Sequence, residues 1–353
     1  VGLAWWVLGR LPISLGVRAL VTVFFALGTV WWWTAVVGST WYFAHVVATD
    51  LGLLAVGVAL GADPLATNPD VADDVDEGSH ARPMLLSAVL PLDHRQVVAG
   101  LLLGLAATAR LPMALGVVFL FLVGGGWTWQ RRTVSAAAGA AIPIAMLLAY
   151  NVATTGSIFH PGYEYQYQHE AFGYTSLGYH LEWSIEDVRY IPQNLGIMFA
   201  SLPALLPTVL PNTLGPRFIP DIVACTDPGA VRRLFDPDCP LAIPRDIGTS
   251  ILLVSPAFLL IVPAALRGWG RSRLVTGGLA AILLIAVLNL AHFSQGWVQW
   301  GYRFSNDFVP LALPLVAVGA TASRRLTTTT AALVLVSVLV NAWGVAWGNV
   351  LGW

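Results

Sequence analysis

Four ionisable side chains stand where an apolar chain should be entering or crossing a membrane. Two of them, Arg303 and Asp307, lie four residues apart in HFSQGWVQWGYRFSNDFVPLALPL (residues 292–315), among aromatics and between two long apolar runs. Arginine carries a planar fork that matches phosphate oxygens. A carboxylate near a hydroxyl can act as its general base. At i, i+4 on a helix the two share a face and can pair. We therefore expect Arg303 and Asp307 to hold an anionic head group at the outer interface. A topological anchor or a plain Arg303–Asp307 ion pair is the structural alternative. Arg110, beside Pro112, breaks the apolar segment 97–126 at its middle. It is either a second contact to the same anion or a snorkelling cap on freed carbonyls. His45 opens another apolar run and either lines the pocket or is a satisfied structural histidine. A His45–Asp50 pair has poor helical spacing. His292 and Gln295 are secondary candidates of the same kind. Tyr302 and Trp300 either touch the head group or pack at the interface.

The stretch HPGYEYQYQHE (160–170) is dense in hydrogen-bonding groups. Glu164 and Glu170 are candidate acids or bases and His169 a candidate relay. Tyr163, Tyr165 and Tyr167 alternate as on an extended segment and could stack on sugar rings. His160, His169 and Glu170 could also be read as metal ligands, but their spacing matches no tight metal motif. The alternative for the whole stretch is a solvated loop. The chain has neither a G-x-x-x-x-G-K-[ST] phosphate loop nor a G-x-S-x-G elbow.

The elements that must position these groups are spanning helices. The chain has 353 residues, 57% hydrophobic and 10% charged, with a mean hydropathy of +0.72. A soluble domain carries about 25% charged residues. The composition predicts an all-α, polytopic transmembrane helical protein with about seven to nine spans or half-spans and a large extracytoplasmic loop. A net charge of -1 gives no attraction to nucleic acid. Candidate spans are about 16–37, 39–61, 134–153, 247–266, 274–293, 304–323 and 326–346; segment 97–126 is a hairpin of two short helices or one kinked span. Arg131 and Arg132, then Arg267, Arg271 and Arg273, then Arg324 and Arg325 alternate without conflict if all are cytoplasmic, with Arg10 and Arg18. That alternation favours the hairpin. It divides the chain into a membrane part (1–153, with a cytoplasmic loop at 62–96), an extracytoplasmic region (154–246) and a C-terminal membrane part (247–353). The acidic run DVADDVDEGSH in the first loop reads as a solvated linker. The proline-bearing segment 190–211 reads as a helix packed at the outer face or re-entrant. Cys225 and Cys239 are either two unrelated thiols or a disulfide in an exported loop. The opening VGLAWWVLGR, without Met, reads as the end of a helix begun upstream, so the chain is expected to be a truncated piece.

Three stretches carry a resemblance. GLLLGLAATARLP (100–112), the GSIFHPGYEYQYQHEAFGYTSLGYH segment followed by RYIPQNL, and WGYRFSNDFVPLALPL (300–315) occur in the order seen in polytopic GT-C-type glycosyltransferases. GSTWYFAHVVA (38–48) is also similar to members of that group. The chain resembles the protein mannosyltransferase and aminoarabinose transferase, family 39-like, proteins of the bacterial cell envelope. The resemblance implies an integral protein of the plasma membrane that moves a sugar from a polyprenyl-phosphate donor to a protein or glycan acceptor on the extracytoplasmic face. Some relatives use a divalent ion; no cofactor is otherwise implied. Arg303, Arg110 and Tyr302 would then meet the donor phosphate. Asp307, His45, His292 and Tyr163 would line or support the pocket, and Glu164, Glu170 and His169 would be the acid–base candidates. The family's catalytic acid belongs to a first exported loop that should lie upstream of Val1, so the piece alone is expected to be inactive. The competing readings are a transporter or lipid flippase, against which stands the lack of an internal repeat, and a non-catalytic scaffold.

Overall fold

The computed structural model describes residues 1–63, 92–126, 128–162, 182–206, 225, 229–294, 296, 298–321 and 326–353. Among these the chain is mostly helical. Four helices among the described residues are long and apolar enough to cross a membrane, and a fifth candidate is a bent pair. The bent pair is α2 (Leu15–Leu27) and α3 (Trp31–Val37), which meet at 46° within the candidate span 16–37. The bend falls at Gly28–Val30, where the Thr29 hydroxyl donates back to the Phe25 carbonyl. The remaining long helices are α4 (Thr40–Ala62), α7 (Trp129–Thr155), α11 (Arg273–Ala291) and α13 (Thr328–Val350). A short α1 (Gly2–Leu8) precedes them.

The broken segment is a hairpin. Helix α5 (His94–Ala109) ends at Arg110, and a 3-10 turn (Leu111–Gly116) continues into α6 (Val117–Leu122). The two ends of the segment meet: Gln96 Nε2 donates to the Leu120 carbonyl at 2.6 Å, and Gly125 N donates to Gln96 Oε1 at 3.1 Å. At 1.5 Å per α-helical residue and 2.0 Å per 3-10 residue, the arms are about 24 and 21 Å long. They place Arg110 at the apex. One arm is fixed by close backbone packing on α7. A Cβ on Gly100 would lie 2.0 Å from the Ala136 carbonyl oxygen, and one on Gly139 would lie 2.0 Å from that of Val97. Gly100 and Gly104 form a G-x-x-x-G pair, which lets two helices approach at backbone distance.

Two expected spans are interrupted. In place of 247–266 stand α9 (Ile251–Val254), a 3-10 turn (Pro256–Leu260) and α10 (Ile261–Gly268). In place of 304–323 stand a 3-10 turn (Arg303–Asp307) and α12 (Val309–Ala320). Pro256 and Pro310 each stand at the start of a new helical segment, where a missing N–H costs nothing. Helix α12 is apolar on every side, and all of it but Val318 is buried. It is the centre of the bundle, packed against α2, α4, α10 and α11.

Helices α4 and α11 each carry polar groups at both ends. Asp63, at the end of α4, accepts from Arg273 Nη2 at 2.6 Å and from Gly124 N at 3.0 Å. Arg95 donates to the Gly61 carbonyl at 3.4 Å, and Arg10 packs beside Gly61. Arg10, Arg95 and Arg273 thus share one end of the bundle. His45 lies eighteen residues before Asp63 on α4, about 27 Å away along the axis. That is close to the thickness of a hydrocarbon core, about 30 Å. Arg324, Arg325 and most of the 62–96 loop, including its acidic run, lie outside the described residues.

At the His45 end sit α8 (Ile191–Ala200) and a small antiparallel pair, β1 (Ala204–Leu205) with β2 (Ala242–Ile243). Pro192 falls in the first turn of α8. Asn194 Nδ2 donates to the Leu290 and His292 carbonyls at 2.7 and 3.0 Å, which ties α8 to the end of α11. Pro207 and Pro211 lie outside the described residues. Cys225 and Cys239 are joined by a disulfide. The Leu234 carbonyl within that loop accepts from both Trp343 and Trp347 Nε1 at 2.8 Å, which docks the loop on α13.

Candidate functional site

Asp307 organises the His45 end. The carboxylate is fully buried and accepts from four side-chain nitrogens on three other elements. Arg110 grips it with two bonds, Nε to Oδ1 at 3.1 Å and Nη2 to Oδ2 at 2.9 Å. His45 Nδ1 lies 3.0 Å from Oδ1, and Asn289 Nδ2 donates to Oδ2 at 3.1 Å. A carboxylate held by a bidentate guanidinium is an acceptor only, so the network assigns the imidazole proton to Nδ1. The elements bring these groups together because α4 starts, α5 ends and α11 ends at the same side of the bundle.

This corrects the structural alternative of a plain Arg303–Asp307 ion pair. Residues 303–307 form a 3-10 turn, not an α-helix. At three residues per turn, positions four apart point about 120° away from each other. Asp307 turns inward to Arg110, while Arg303 lays its guanidinium over the Tyr42 ring, 4.9 Å from its centroid, and over Phe304 at 5.6 Å. The His45–Asp50 alternative is corrected as well, since the partner of His45 is Asp307, 262 residues away in sequence.

Phe304 is the hub of the remaining groups. The Arg110 guanidinium lies 5.0 Å from its centroid, so two arginines converge on one ring. The rings of His45, Tyr302 and His292 lie 5.8, 6.0 and 6.3 Å from it. Tyr302 and Trp300 are both buried, and Trp300 packs on Trp343 with its Nε1 donating to Asn341 Oδ1 at 3.3 Å. His292 pairs with Glu186 at 3.2 Å, across the isolated bridge that joins the two segments. Among the described residues, His45 Nε2, Tyr302 Oη and Asn306 Oδ1 are buried without a hydrogen-bond partner.

A second layer sets the position of Arg303. Gln299 Oε1 accepts from the Arg303 amide at 3.1 Å, and Gln299 Nε2 donates to the Ile247 carbonyl at 2.9 Å. The Tyr42 hydroxyl donates to the carbonyl of Val298, whose φ of 49° is costly for a β-branched residue. Asn306 is fixed by Thr34 Oγ1 at 2.8 Å and by Thr49, which donates to its carbonyl at 3.0 Å. Asp246, in the same loop as Ile247, is 4% exposed. Burial pushes its carboxyl up to about 6, opposed in part by its own amide and that of Ile247.

Sequence reasoning missed Asn289, Gln299, Tyr42, Phe304 and Asp246. Asn289 had a signal, an amide in an apolar helix, because such groups bond across helices in lipid. Glu164, Glu170, His169, Tyr163, Tyr165, Tyr167 and Gln295 lie outside the described residues. Among the described residues no group of three or more His, Cys, Asp or Glu side chains could hold a metal ion. Comparisons of the chain with protein-family models, curated proteins and solved structures found no match.

Proposed function

We propose that the chain belongs to a membrane glycosyltransferase that takes its sugar from a polyprenyl-phosphate donor. The observation that carries this reading is the convergence of Arg110 and Arg303 on Phe304, at the end of helices about as long as a bilayer is thick. A lipid phosphate keeps its tail among the helices and its charge at this depth. Departure of the phosphate develops negative charge, which fixed guanidinia stabilise. Asp307 positions Arg110, and Gln299 and Tyr42 position Arg303. In this reading the protein has seven to nine spans or half-spans in a bacterial plasma membrane. The Asp307 end faces outward with the region 154–246, and the arginines at the opposite end are cytoplasmic. The acceptor is a protein or a glycan. No described side chain is assigned as the catalytic acid that the family resemblance implies.

The test is binding of undecaprenyl phosphate to the full chain in nanodiscs. Losing one charge-assisted contact costs about 1.5–3 kcal/mol, so Arg303→Ala should weaken binding roughly ten- to hundredfold. Unchanged binding in a variant that melts like the parent would refute the reading. The short-armed hairpin favours a second reading, a transporter or flippase, since broken helices line substrate paths in such proteins. Transbilayer movement of a labelled prenyl phosphate in vesicles, without sugar transfer, would support that instead.

A further inference from the structure

We propose that His45 takes up a proton when the site binds its anion, so that the imidazole becomes a third cationic contact beside Arg110 and Arg303. This rests on the anion-binding reading above and adds the coupling to pH. The geometry makes the case. His45 is committed through Nδ1 to Asp307, which leaves Nε2 as the ring's free position. That nitrogen is buried and has no hydrogen-bond partner among the described residues. A buried polar atom without a partner costs free energy, so its retention points to an occupant. The occupant should be an anion, because the ring packs on the same phenylalanine as two guanidinia.

The charged and titratable groups around the ring come from every packed element. Asp307 and Arg303 come from the 3-10 turn, Arg110 from the hairpin apex, and Tyr302 from the segment before the turn. Tyr42 lies on α4 itself and His292 at the end of α11. Asp307 is shared between Arg110 and His45, and further negative charge beside the ring would stabilise a proton on Nε2. A phosphate among these groups supplies it and accepts the Nε2–H hydrogen bond. One proton moves from solvent to Nε2 per anion bound, and no covalent bond changes. Binding and protonation are then reciprocal.

The experiment is titration calorimetry of the full chain in nanodiscs at one pH, in buffers of different ionisation enthalpy. Undecaprenyl phosphate and inorganic phosphate are the two ligands, and the reading predicts that the lipid form binds more tightly. Wild type should take up close to one proton per prenyl phosphate. Its affinity should fall as pH rises, by up to tenfold per unit for one linked proton. His45→Asn keeps a donor at the Nδ1 position and deletes Nε2. It should bind with no His45-linked uptake and a flatter pH profile. The phosphate's own titration, with a pKa near 6, is common to both proteins and subtracts. His45→Gln serves if His45→Asn melts well below the parent. Binding with equal proton uptake in parent and variants overturns the proposal and leaves the anion site standing. No binding of either phosphate by the parent overturns both.

Discussion

Removing Arg110 should cost far more than removing Asp307, because the two partners are buried to different depths. The Asp307 side chain is 0% exposed and that of Arg110 is 15% exposed. In Arg110→Met the carboxylate loses two of its four bonds and all of its ionic compensation, keeping His45 and Asn289. Two unit charges 4 Å apart are worth about 4 kcal/mol at an effective dielectric of 20. Breaking a buried pair from one side costs about 3–5 kcal/mol. In Asp307→Leu the guanidinium loses this carboxylate, but it reaches the surface and can be solvated, so we expect about 2 kcal/mol. The double variant leaves neither member of this pair buried without the other and should fall well below the sum of the singles, with a coupling of about 2–3 kcal/mol. Arg110→Lys keeps the charge without the fork and should lie between parent and Arg110→Met. The chain has 15 Trp, so intrinsic fluorescence can follow unfolding in a denaturing detergent. Additive single costs, or an Arg110→Met cost under about 1 kcal/mol, would show that Asp307 does not depend on Arg110 as argued.

Two further predictions concern other parts of the fold. The raised carboxyl of Asp246 binds more protons folded than unfolded between pH 4 and 6, so its contribution to stability is present below that window and lost above it. Asp246→Asn should therefore stabilise the protein by about 2–3 kcal/mol at pH 8 and converge with wild type near pH 4; equal melting differences at both pH values would contradict this. Gly100→Ala pushes a methyl group against the Ala136 carbonyl and should cost about 1–3 kcal/mol, whereas Gly2→Ala, with nothing near its Cβ, should cost nothing measurable in the same melting assay.

The sequence exposed the long helices and the polar residues more readily than their pairing. Apolar length located α4, α7, α11 and α13 to within a few residues, because a bilayer imposes that length. Arg110, Pro112 and the alternation of arginines pointed to the hairpin with its apex at the His45 end. The pairing was hidden for a physical reason. Residues 303–307 sit in a 3-10 turn, a conformation that helical spacing does not announce, and reading it as α-helix made an Arg303–Asp307 ion pair plausible. The His45–Asp307 contact spans 262 residues. It depends on which ends of α4 and α12 meet, and no local pattern encodes that. Asn289 is the exception, since an amide that deep in an apolar helix must find a partner.

The energetics of this cluster separate its stability from its reason for existing. Burying a carboxylate and a guanidinium costs several kcal/mol per ion, and the pairing only recovers that cost. Leucine or methionine at His45, Arg110, Asn289 and Asp307 could fill the same space between α4, α5, α11 and α12 with no such cost. The fold as a helical bundle therefore does not need the cluster. Two consequences diverge at this point. A purely structural cluster would be matched or bettered by an apolar replacement in both stability and binding. A cluster in which His45, Asn289 and Asp307 hold Arg110 ready for an anion would give an apolar quadruple variant that folds as well as the parent and no longer binds prenyl phosphate. The second outcome is the one that a buried network of this cost, at a bilayer's edge, leads us to expect.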